Sequence, residues 1–201
     1  MFGFFGNKRK KVKVISRFAL TRQGAFIDLI KQLSSSKKPV YILYFFDESR
    51  DFLKKHLSAE YISFKEVNSE PSTIDSDIYF INANTFNPGL FKLNTKMLYC
   101  LDHYPLYSVF FNLILNIGKF ELPPELIVYG GMDEPILNAF GGERIRDLMY
   151  KMGLKESEII EHNMISGAIE DAQKKIEAKV TMDSKANSSS EWFKLNYNQT
   201  N

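Results

Sequence analysis

The sequence predicts an α/β domain, a doubly wound and mostly parallel sheet with a helical C-terminal extension. Three observations carry this: four short apolar runs, amphipathic helix patterns between them, and a purely helical pattern from about residue 133. The runs are Val40 to Phe46, Ile78 to Ile81, Met97 to Leu101 and Leu126 to Tyr129. They are continuous rather than alternating, which suits strands covered on both faces, as in a parallel sheet.

In chain order, Val12 to Ile15 and Tyr61 to Val67 read as further strands. Thr21 to Leu33 reads as a helix behind a Thr cap, with Phe26, Leu29, Ile30 and Leu33 on one face. Asp47 opens a second helix with Phe52, Leu53 and Leu57 inward. Pro105 starts a third, apolar nearly all round, from Leu106 through Phe110, Phe111 and Ile114 to Ile117. Strands and helices alternating at these lengths give a doubly wound fold. Beyond Asp133, Ile145, Leu148, Met149 and Met152 form one helical stripe, and Ile165, Ala168, Ile169, Ala172 and Ile176 form another after Gly153. The resulting division is a basic segment 1–17, an α/β domain 18–132, a packed helical extension 133–180, and a tail 181–201 whose Ser, Asn and Lys content predicts disorder. Within that tail, Trp192 and Phe193 stand out, either folding back onto the body or serving as a docking motif.

At 201 residues and 44% hydrophobic content, the chain can bury one full core. Seven of its 26 basic residues lie in the first 22 positions, where there is no acid, leaving 19 against 24 acidic residues for the body. A mildly acidic body argues against nucleic acid as a partner. The single cysteine, Cys100, sits in an apolar run and reads as a buried thiol. No run approaches the ~20 apolar residues that span a bilayer, and the N-terminus places its apolar part before its charges, the reverse of a secretory signal. Phe2, Phe4 and Phe5 followed by Lys8, Arg9, Lys10 and Lys11 read either as a hook for an anionic membrane surface or as a solvated start.

Asn82, Asn84, Asp102 and His103 fall at strand ends, where α/β domains place ligands, and Lys119 offers an anion contact. These five residues are the candidates for small-molecule or nucleotide binding. No His-x-x-x-His, Cys-x-x-Cys or carboxylate-rich loop is present, so neither a metal nor a cofactor is expected.

The segment Phe140-Gly141-Gly142-Glu143-Arg144-Ile145, then Gly153-Leu154-Lys155-Glu156, then Ile160-Glu161-His162-Asn163-Met164-Ile165 resembles the SecA protein translocation ATPases, where the second nucleotide-binding domain meets the scaffold helix. Lys38-Pro39-Val40-Tyr41-Ile42-Leu43 followed by Asp47-Glu48-Ser49 is similar to the opening of that domain. The resemblance implies a RecA-like second motor domain, yet the family's catalytic motifs are altered. Its Thr-Asn-Met-Ala-Gly-Arg-Gly-Thr-Asp loop corresponds to Asn82 to Gly89, without the arginine or the acid. Its Gln-Leu-Arg-Gly-Arg-Ala-Gly-Arg segment corresponds to Asn112 onward, where Ile114 and Asn116 replace two arginines and Lys119 alone keeps a positive charge. An arginine's planar fork is worth roughly 10³ to 10⁵ in rate at phosphoryl transfer, and neither Ile nor Asn supplies it. No Gly-x-x-x-x-Gly-Lys-Ser/Thr loop occurs either.

The expectation is therefore a non-catalytic interaction or accessory module with a protein partner in the export machinery, cytoplasmic or peripheral at the inner membrane. Its partner surface would be Leu106, Phe110, Phe111, Ile114, Trp192 and Phe193. The alternative is a small-molecule or nucleotide-binding protein using the strand-end cleft.

Overall fold

The computed structural model describes residues 11–35, 39–93 and 95–197. Its strands are β1 (Val14–Ala19), β2 (Val40–Tyr44), β3 (Phe64–Glu66), β4 (Ile78–Asn82), β5 (Met97–Cys100) and β6 (Glu125–Gly131). They form one sheet in the order β1-β6-β5-β2-β4-β3, every pair parallel. All five residues of β2 are buried, as expected of a central strand covered on both faces.

Helices α1 (Arg22–Ser35) and α2 (Asp47–Ala59) cover one face. There Phe26, Leu29, Leu33, Leu53 and Leu57 pack with Ile42, Phe80 and Tyr129. The other face carries α3 (Tyr107–Ile117), α4 (Pro135–Asn138) and α6 (Asn163–Glu177), whose Phe110, Leu113, Ile136, Ile169 and Ile176 pack with Leu43, Cys100 and Val128. The chain thus leaves β2 toward one face and leaves its neighbour β5 toward the other. This reversal between adjacent strands puts the crevice of an open α/β sheet at the C-terminal ends of β2 and β5. Close approach at that end is enforced by Gly131, where a Cβ would lie 2.1 Å from the backbone nitrogen of Arg22.

Four features depart from the sequence reading. Strand β1 covers Val14–Ala19 rather than Val12 to Ile15 and so runs across the division drawn at residue 17; Phe2, Phe4, Phe5, Lys8, Arg9 and Lys10 lie outside the described residues. The third helix starts at Tyr107, with Leu106 as its cap, rather than near Pro105. The stripe expected to face the core on α5 (Gly142–Lys151) and the residue after it is turned outward: Ile145, Leu148 and Met152 are exposed, and only Met149 packs on the core. Gly141, at φ 85°, redirects the chain there so that α5 runs against α4.

The tail is ordered through Tyr197. It forms α7 (Ser189–Trp192), continuing as a π-helical turn over Phe193–Tyr197, with Ser188 Oγ accepting from the Glu191 backbone N–H at 3.1 Å. Trp192 is fully buried and donates its indole N–H to Asp183 at 2.7 Å. Asp183 also accepts from the Tyr104 hydroxyl, and Tyr104 meets the Trp192 ring edge-on at 6.0 Å. Polar composition was outweighed by a few aromatics: burying 150–250 Å² of one ring contributes up to about 4–6 kcal/mol, enough to order a short segment.

Candidate functional site

The residues that converge at the C-terminal ends of β2 and β5 are Asp102, Arg22, Ser49 and Glu134. Asp102 follows β5 and is 2% exposed. Its Oδ2 accepts from the backbone N–H of Phe45 at 2.9 Å and of Phe46 at 3.3 Å, at the entrance to α2. Its Oδ1 accepts from the Ser49 hydroxyl and from the Arg22 guanidinium. An anion-binding position at a helix N-terminus is thereby filled by the chain's own carboxylate.

Arg22 opens α1 directly after β1, and its backbone N–H donates to Asp133 Oδ1 at 2.8 Å. The guanidinium lies 3.8 Å from Glu48 and 4.0 Å from Glu134. Burial opposes its charge, but Asp102, Glu134, Glu48 and Asp133 more than offset this and hold it protonated. Glu134, the residue before α4, accepts from the Gly131 N–H at 3.0 Å. Burial raises its carboxyl to about 7, against the opposing pull of Arg22. This knot joins α1, α2, β5 and α4, and its charges are spent on one another.

His103 turns to the α3 face, stacking on Phe18 at 5.2 Å and lying 5.6 Å from Phe110. Burial pushes its imidazole down to about 3, so it is neutral at pH 7. Its Nε2 is 3.5 Å from Ser16 Oγ. Cys100, also buried, donates its thiol to the Asp102 carbonyl at 3.3 Å, and burial pushes its pKa well up. A neutral imidazole and a protonated buried thiol do not form a nucleophile pair.

The sequence candidates therefore separate. Asn82 and Asn84 line a cleft of about 370 Å³ with Asp47, Thr85, Tyr104 and the tail residues Asp183 and Lys185. Within it Asn84 Nδ2 donates to the Phe45 carbonyl at 3.3 Å, and Asn82 Oδ1 accepts from the Asn84 N–H at 2.9 Å. Asp102 is buried behind Phe45 and Phe46 and does not line this cleft, while His103 lines a separate groove of about 690 Å³ between β1, α3 and α6. Lys119 follows α3, which runs back from the C-terminal end of β5 to the start of β6, so it stands at the opposite, N-terminal end of the strands; its ammonium is bonded to Asn116 Oδ1 at 2.7 Å. Of the expected partner surface, Leu106, Phe110, Trp192 and Phe193 are buried in the chain's own core, leaving Phe111 exposed and Ile114 half-buried. Arg22 and Glu134 were not among the sequence candidates. For Arg22 the available signal was a charged residue opening a helix directly after a strand.

No family model matches the chain. It is 26% identical over 190 residues to the protein translocase subunit SecA of Christiangramia forsetii, covering 85% of this chain and 17% of that one. It is 25% identical over 186 residues to the SecA of Syntrophus aciditrophicus, covering 83% and 22%. A shorter match to the SecA of an Anaeromyxobacter species reaches 47% identity over 60 residues, 30% of this chain and 6% of that one. The chain spans about a fifth of the length of the first two relatives. Among solved structures, the C-terminal domain of the DEAD-box protein Dbp5 is 11% identical with a TM-score of 0.43, covering 70% of this chain and 98% of that one. Over more than four fifths of its own length, then, this doubly wound α/β chain is similar to the SecA protein translocase subunits.

Proposed function

We propose that this chain is a non-catalytic SecA-like interaction or accessory module in bacterial protein export, working at the cytoplasmic side of the membrane by docking a protein of the translocation machinery. The observation that carries the reading is α3. Where the resemblance places an arginine-bearing helix, this helix presents half-buried Ile114, Asn116 bonded to Lys119, and exposed Phe111. The Asp102–Arg22 knot supports it further, because the Asp102 carboxylate occupies the N-terminus of α2, the position where this kind of crevice would hold an anion. Apolar surface in place of phosphate-binding arginines favours a protein contact over nucleotide chemistry.

The test pairs two measurements on the full chain. Binding to purified SecA motor and to the translocation channel is measured by interferometry, with an unrelated membrane protein as control, and phosphate release from ATP is followed with the chain alone. Saturable binding to motor or channel with no phosphate release is the expected result. Phosphate release by the chain alone, or absence of binding to both, overturns the reading.

The 370 Å³ cleft at Asn82 and Asn84 favours a second reading, a small polar ligand at the strand ends. It predicts a metabolite that raises the melting temperature of the wild type and not of Asn84→Ala. A screen in which no compound does so rejects it.

A further inference from the structure

We propose that the face above the C-terminal ends of β2, β4 and β5 recognises a short segment of another protein, one carrying a carboxylate and a helical turn with two adjacent aromatic side chains. The chain's own residues 183–197 occupy that face as a built-in competitor.

This segment is bonded like a docked peptide. Its polar groups largely satisfy one another: the Asn187 N–H donates to Glu191 Oε2 at 2.7 Å, the Ser184 N–H donates to Asn196 Oδ1 at 2.7 Å, and Asn196 Nδ2 donates to the carbonyls of Ser184 and Trp192 at 3.0 Å. What it offers the body is chemistry that a foreign peptide can also supply. The Asp183 carboxylate accepts from the Tyr104 hydroxyl at 2.7 Å, and the Asn187 carbonyl accepts from the Glu48 N–H, in the first turn of α2, at 3.0 Å. Trp192 and Phe193, edge-on to each other at 5.4 Å, are the buried anchors. Thr181 and Met182, between α6 and the segment, are exposed.

The receiving side is held without the tail. Phe45 and Phe46 donate their N–H groups to Asp102, and the Tyr104 carbonyl accepts from Gln173 Nε2 of α6 at 2.7 Å. Phe46 stacks on Tyr104 at 5.7 Å and Phe45 meets it at 5.0 Å, so the three rings form one fixed shelf. The shelf lies at the crevice where open α/β sheets take their ligands. Aromatic anchors in a preformed, desolvated pocket are what binding hot spots are made of.

The tail fills this face only in part. A cleft of about 370 Å³ persists between its Asp183, Lys185 and Asn187 and the body's Asn82, Asn84 and Thr85. A foreign segment that keeps the carboxylate and the aromatic turn, and adds side chains into the cleft, gains contacts that the tail does not make. The tail of a second copy has no such advantage. The short tether from Glu177 to Asp183 holds the chain's own tail at a roughly millimolar effective concentration, which an identical tail in solution does not match. The occupant is therefore a different protein. The site is separate from the exposed Phe111 of α3, and the inference does not rest on the export reading.

The probe is a fluorescein-labelled peptide of residues 181–197, titrated by anisotropy into the full chain as wild type, Asp183→Ala and Trp192→Ala. Saturable binding is expected in both variants, whose own tails are weakened, at least about tenfold tighter than in the wild type. It should vanish when Trp192 and Phe193 of the peptide are replaced by Ser. Circular dichroism reports whether each variant keeps its fold; position 183 is exposed, so Asp183→Ala carries the test if Trp192→Ala does not fold. Absence of saturable binding to Asp183→Ala, equal affinity for wild type and variants, or equal binding of the Ser peptide overturns the proposal. Sedimentation of the wild type should show no dimer that depends on Trp192. Such a dimer would be an exchange of tails between copies, and overturns the assignment to a different protein.

Discussion

Replacing Asp102 by Ala removes the acceptor of four donors: the Phe45 and Phe46 N–H groups, the Ser49 hydroxyl and the Arg22 guanidinium. A buried donor left unsatisfied costs about 1–3 kcal/mol, and breaking a buried ion pair from one side costs about 3–5 kcal/mol. These do not add, because the Arg22 side chain is 20% exposed and retains Glu48 at 3.8 Å and Glu134 at 4.0 Å. The expected loss for Asp102→Ala is about 4 kcal/mol, and Asp102→Asn, which keeps one acceptor oxygen, should lose about half of that. Equilibrium urea unfolding followed by circular dichroism measures both. A double-mutant cycle with Arg22→Met should give a coupling of at least about 1 kcal/mol, since the two groups meet in a desolvated knot. A loss below about 1 kcal/mol for Asp102→Ala, or a coupling near zero, would mean that water satisfies these groups and that the crevice is open rather than self-filled.

Trp192→Ala should cost about 3–5 kcal/mol and free the segment from residue 181 onward for early proteolysis; a tail that stays resistant would refute its anchoring role. The single Trp gives a second readout, since Asp183→Ala removes the acceptor shared with Tyr104 and should shift Trp192 emission to the red. For pH, the Glu134 carboxyl is raised from 4.5 to about 7, so its contribution is full below about 4.5 and is lost as pH rises through about 7. Glu134→Gln should abolish that decline in the urea midpoint. The His103 imidazole is lowered from 6.5 to about 3, so its contribution is present above 6.5 and is lost as pH falls toward 3. His103→Phe should remove that acid limb, and an unchanged profile would show that the imidazole reaches solvent. Phe111→Arg, on the exposed side of α3, should weaken binding to the translocation partner at least tenfold with a change in stability under about 0.5 kcal/mol; equal binding would move the interface elsewhere.

The four inner strands were legible because parallel strands covered on both faces are apolar nearly throughout, as in Val40 to Tyr44 and Ile78 to Ile81, whereas the edge strands β1 and β3 carry polar residues and gave a weaker signal. Helix α2 was legible from Asp47 and the spacing of Leu53 and Leu57. The site was less so. Asp102 drew attention as a strand-end acid, but its role depends on Phe45, Phe46, Ser49 and Arg22, which are 53 to 80 positions away. Lys119 looked like a ligand contact because charge and spacing do not reveal that α3 carries it to the N-terminal end of the strands, away from the crevice. The α5 stripe had core periodicity, and periodicity reports that a face is apolar without saying what covers it.

Local sequence thus determined the inner strands, the helices between them and the likeness to SecA, because hydrophobic period and motif are properties of neighbouring residues, while the helical turns of Ser189–Tyr197 were not legible in it. Tertiary structure decided the strand order, the self-filling of the crevice by Asp102, and the burial of Leu106, Phe110 and Trp192. Those outcomes depend on contacts between distant residues, where desolvation and the pairing of every buried charge decide which face closes and which remains available.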